Sequence, residues 1–147
     1  VNADRRRAAD RGSMSVFTVI FSVVVFLLAG LLVDGGATIN AKLRAADIAE
    51  QAARAAADEL DVDHLRRTNQ ARLLGGGQPC ARAREIIEEH GDDGVSTGDC
   101  SVGSGQTQVT VAVRVRWEAF FLSALGFSGG EMEGEATAGP DLGEEAP

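Results

Sequence analysis

Met14-Ser-Val-Phe-Thr-Val-Ile-Phe-Ser-Val-Val-Val-Phe-Leu-Leu-Ala-Gly-Leu-Leu-Val33 decides the fold, because it holds 20 residues and no charge. Counted from Gly12, the uncharged run is 22 residues. A hydrocarbon core of about 30 Å takes roughly 20 helical residues to cross. In lipid the backbone must satisfy its own hydrogen bonds, so the many β-branched residues do not argue for a strand. A cleaved signal peptide has an apolar core of only about 7–15 residues before its cutting site. Gly35-Gly36-Ala37 is small enough to be cut, but the run before it is too long. A buried core helix would need cover on every face, and little chain remains to supply it.

Outward from this run the charge divides the 147 residues. Residues 1–11 carry Arg5, Arg6, Arg7 and Arg11 and a net +2, while residues 34–147 carry a net −10, for −8 overall. Basic residues before the span and Asp34 after it predict a cytoplasmic N-terminus and an extracytoplasmic body. An acidic chain excludes binding driven by nucleic-acid phosphates.

Beyond the span, Ile39, Leu43, Ala46, Ala49, Ala53, Ala56 and Leu60 recur every three or four residues and predict one stripe of an amphipathic helix, half of it packed on the protein's own sheet against Val109, Val111, Val113 and Val115 and the rest an assembly face for other helices. Nine alanines between Ala41 and Ala57 favour helix, and Glu50 with Arg54 forms a favourable i,i+4 pair. Asp34-Gly35-Gly36 is the one weak joint, a hinge or a run-through at about 1 kcal/mol per Gly. We read one nearly continuous helix over 14–61, roughly 70 Å long.

Residues 62–79 lose the period and end in the breaker Gly75-Gly76-Gly77-Gln78-Pro79. A short helix over 80–90 follows, with Ala81, Ile86 and Ile87 inward and Gly91 as its stop. Strands are expected at 95–102, 106–117 and 131–138, the first two joined by Gly103-Ser104-Gly105. In the middle strand Val109, Val111, Val113, Val115 and Trp117 face one way, and Gln108, Thr110, Ala112, Arg114 and Arg116 the other. Glu131, Glu133 and Glu135 on the last strand would face Arg114 and Arg116. The acidic tail 139–147 reads as disordered. Between the strands, Phe120, Phe121, Leu122, Leu125 and Phe127 form an apolar loop. It either closes the core or is an exposed contact surface for lipid or a partner's helix.

Cys80 and Cys100 are the two cysteines, and outside the cytoplasm they predict one disulfide. No metal or cofactor is expected: His64, His90, Cys80 and Cys100 lack zinc-ligand spacing, and Gly75-Gly76-Gly77 is not followed by Lys-Ser/Thr. Asp61-Val62-Asp63-His64 lacks the glycine and distant glutamate of a calcium loop. No nucleophile elbow surrounds any serine, so no enzymatic activity is expected.

A basic head, Arg11-Gly12-Ser13-Met14-Ser15-Val16-Phe17, then Gly30-Leu31-Leu32-Val33-Asp34-Gly35-Gly36 and the Ala-rich run from Ala41 to Ala57 together resemble the TadE/TadG-like proteins of tight-adherence (Flp-type) pilus systems. Residues 130–138 look like that family's last strand. The resemblance implies a type IV pilin-like α+β fold, a long N-terminal helix packed on a small antiparallel sheet. It implies a single-pass, pilin-like or pseudopilin-like structural component of a pilus assembly or secretion machine in the bacterial cell envelope. Its partners would be membrane lipid, other pilin-like subunits and pilus-machinery membrane proteins, with neither nucleic acid nor a small-molecule substrate. Gly12 and Ser13 become a candidate processing site, with Phe17 standing where prepilins carry Glu. The competing function is a signal-anchored extracytoplasmic binding or sensor domain. The expected parts are a cytoplasmic segment 1–13, a transmembrane helix 14–33, an amphipathic extension 34–61, a head 62–138 and the tail.

Overall fold

The computed structural model describes residues 2–90 and 93–140, with side chains from residue 14 onward, and the tail expected to be disordered lies outside them from 141. Its element order is α1 (Asn2–Ala57), α2 (Val62–Thr68), α3 (Gln78–Glu89), β1 (Val95–Val102), β2 (Val109–Glu118), a 3-10 turn (Leu122–Leu125) and β3 (Gly129–Ala138). The fold is α+β: one long helix lies on a three-stranded antiparallel meander in the order β1-β2-β3.

From Met14 to Ala57, α1 has 44 residues and is apolar enough over its first half to cross a membrane. It continues unbroken through Gly35 and Gly36, the run-through of the two alternatives. A Cβ at either glycine would meet nothing within 4 Å, so neither admits a close neighbour from within the protein itself.

Above that point the helix acquires a buried side. Ala41, Ala45, Ile48, Ala52 and Ala56 are buried at spacings of three and four, joined by Ala49, Ala53 and Ala57, and they meet Val109, Val111, Val113 and Val115 in one core. The predicted stripe therefore divides along its length. Ile39 and Leu43 are 63% and 64% exposed, Ala46 is half-buried, and Ala49, Ala53 and Ala56 lie in the protein's own core. The cause is the closeness of helix and sheet. A Cβ on Gly134 of β3 would lie 2.2 Å from the Ala46 nitrogen and 2.3 Å from the Ala45 carbonyl carbon. Only small residues on both sides allow that approach, so large Ile39 and Leu43 turn outward.

The helix also ends earlier than its periodicity suggests, at Ala57 rather than 61. Leu60 leaves it to bridge Leu73. Asp61 then starts α2, which the sequence reading had left without structure: its Oδ1 accepts the His64 N–H at 2.9 Å. The seven residues of α2 bury no side chain, so no apolar period announced it.

In α3, Pro79, Ala83 and Ile87 are buried and Ile86 is half-buried. Ala81, expected inward, is exposed. The β1–β2 connection is longer than the expected three residues, because β2 begins at Val109 and Gln106 sits at φ 59 inside the turn. Ala112, expected on the polar face, is buried. It lies under Gly98, where the β1–β2 register shifts between Thr97 and Cys100 and a Cβ would come within 2.9 Å of its side chain. The β2–β3 register pairs Arg114 with Glu133 and Arg116 with Glu131, the charge match expected from the sequence. The ion-pair distances are 2.8 and 3.5 Å.

Candidate functional site

Two features of the molecule leave large apolar side chains exposed: the uncovered half of α1 and the loop that folds down beside it. From Met14 to Val33 the large apolar side chains are all exposed. Gly30 alone is buried there, because the Phe121 ring rests on it: a Cβ at Gly30 would lie 2.8 Å from the Phe121 Cβ.

Asp34 holds that loop in place. Its side chain is 1% exposed. One oxygen accepts the N–H groups of Phe120 and Phe121 at 2.8 and 3.2 Å, and the other accepts Leu122 N–H at 2.7 Å. These donors lie at the start of the 3-10 turn, so Asp34 caps it from a residue 86 to 88 positions away. Sequence reasoning treated Asp34 as the first charge after the span and missed this role. No local signal in the sequence marks it, because the N–H groups that it holds lie 86 to 88 positions away.

Of the loop residues singled out from the sequence, Phe120, Phe121, Leu125 and Phe127 are exposed and Leu122 is half-buried. They do not close the sheet's core. The loop and α1 enclose an apolar groove of about 290 Å³ between Val23, Phe26 and Leu27 on one side and Leu122, Ala124 and Leu125 on the other. Trp117 lies above, its ring 6.0 Å from that of Phe127.

Cys80 and Cys100 form a disulfide with Cα atoms 5.8 Å apart, tying α3 to β1. At the far end of α1, Arg72 donates to Asp61 Oδ2 from Nε and Nη2 at 3.0 and 2.6 Å. The His64 N–H and this guanidinium together hold the Asp61 carboxyl below its ordinary range. Among the described residues, no three His, Cys, Asp or Glu side chains gather as a metal site. The surroundings of Gly12 and Ser13 lie outside what is described, and their backbone is helical.

The arrangement defines a class: a small two-layer α+β head carried on a helix long and apolar enough to enter a bilayer. Residues 12–59 match the model of the putative Flp pilus-assembly TadE/G-like family, the family that the sequence resembles. The matched stretch takes in the span and the Ala-rich extension and stops before the sheet, both cysteines and the apolar loop. No curated protein and no solved structure matches the chain.

Proposed function

We propose that this protein is a membrane-anchored, pilin-like structural component of a Flp-type pilus assembly machine, with residues 14–33 in the cytoplasmic membrane and the head outside. The observation that carries this reading is the uninterrupted helix from Met14 to Ala57, which coincides with the family match. The basic segment before the span favours a cytoplasmic N-terminus. The disulfide favours an oxidising compartment for the head.

Assembly then runs through the back of α1. Leu28, Leu32, Gly36, Ile39 and Leu43 follow one another at helical spacing on the side opposite Gly30, Asp34, Ala41 and Ala45. This face passes from lipid into solvent without a charge, and Gly36 leaves room for another helix to come near. Ala49, Ala53 and Ala56 serve the protein's own core instead.

The test is Ile39→Arg and Leu43→Arg in the full-length chain. Both should leave the oxidised head folded and abolish co-purification with pilus-machinery membrane proteins. Folded variants that still co-purify would remove this face from the assembly. A reporter fused after Ala138 that stays cytoplasmic would overturn the topology.

A further inference from the structure

The groove between α1 and the apolar loop runs from Leu31 down to Val23, about 12 Å along the helix axis. Every helix residue that lines it belongs to the stretch read as the membrane span. Whatever packs there stands at the depth of hydrocarbon. We propose that residues 119–127 are a second membrane element, a wedge inserted into the leaflet on the head's side, with lipid acyl chains filling the groove and covering the loop's outer face. The proposal rests on residues 14–33 being a membrane span.

Three observations support lipid as the occupant. First, residues 119–130 carry no charge and are bounded by Glu118 and Glu131, so the polar limits of the segment lie where it joins the sheet. Second, Phe120 and Leu125, which are 75% and 72% exposed, turn away from the head and continue the apolar surface of the helix. In water such side chains forgo the gain of burial.

Third, the backbone is provided for. Irregular backbone is kept out of hydrocarbon because its polar groups go unpaired there. Here Phe120, Phe121 and Leu122 donate to Asp34. Ala124, Gly126 and Phe127 donate to carbonyls within the loop at 3.0–3.2 Å. The Ser123 hydroxyl donates to the Phe120 carbonyl at 2.6 Å. A short 3-10 turn so satisfied suits the insertion of about 5–10 Å typical of interfacial elements. Trp117, its ring 6.0 Å from that of Phe127, adjoins the loop where it joins the sheet.

The test uses the unmodified full-length chain in phosphatidylcholine nanodiscs and reads amide NMR signals. The probes are a lipid with a nitroxide on its acyl chain and a water-soluble gadolinium chelate. We expect the Leu125 and Gly126 signals to be broadened by the lipid nitroxide and spared by gadolinium. Gly105, in the turn at the other end of the sheet, should show the reverse. If Val23 escapes the lipid nitroxide, the span itself is misassigned and both readings fall. If Val23 is broadened while gadolinium reaches Leu125, the wedge alone is overturned. Leu125 shielded from both probes, in a protein that cross-links as pairs, would assign the loop to a second helix and also overturn the lipid wedge.

Discussion

The two halves of α1 are one helix built for two surroundings. From Met14 to Val33 it is made of Val, Leu, Ile and Phe, exposed on nearly all sides. From Asp34 to Ala57 the side toward the sheet is mostly alanine, with Ile48 as its one large residue. Large side chains cover a helix that meets lipid, whereas small ones let a helix lie close on a sheet. Asp34 marks the change and is at once the first charge, the cap of the loop and the start of the covered side.

The contrast breaks most severely at Gly134. Gly134→Val would drive a side chain into the backbone of Ala45 and Ala46. Ordinary overpacking costs about 1–3 kcal/mol. No rotamer relieves a clash with backbone, so this variant should exceed that range and abolish the cooperative urea transition followed by Trp117 fluorescence. The helical signal of the lower half should survive. Next is Cys80→Ser, which opens a loop of 20 residues and should cost the head roughly 3 kcal/mol, read by the same titration.

Asp34→Leu acts at the boundary itself. It leaves three N–H groups without their acceptor and should cost about 1.5–3 kcal/mol, seen as faster hydrogen exchange at Phe120, Phe121 and Leu122. Unchanged exchange there would mean that packing on Gly30 alone holds the loop.

The smallest effect belongs to the end of α1 farthest from the span. Asp61 has a carboxyl held below its unfolded value of 3.8, so its contribution to stability is complete above that pH. It is lost as pH falls through the lower, folded value. Asp61→Asn should lower stability slightly at neutral pH, where the contribution is complete, and converge with the parent at low pH, so that the acid limb of the pH–stability curve flattens.

Much of this was legible in the residues. An uncharged run of 22 speaks for itself, and the Val alternation with Arg114 and Arg116 fixed both the face and the register of β2. The phase of the Ala-rich helix was harder, because alanine occurs on every side of it and nothing in the stripe says which half, Ile39 and Leu43 or Ala49, Ala53 and Ala56, meets the sheet. What settles the phase is Gly134, some 90 residues away, and a single sequence gives no hint of that pairing. The role of Asp34 was hidden for the same reason. α2 escaped notice because a helix held by its cap and not by burial leaves no hydrophobic period.

The unbroken passage through Gly35 and Gly36, with the loop bonded to Asp34 just before them, has a mechanical consequence. No irregular segment separates the apolar half of the helix from the half that carries the sheet. A turn of the apolar half about its long axis would therefore swing the sheet with it, and the orientation of one end is passed to the other through helix backbone alone.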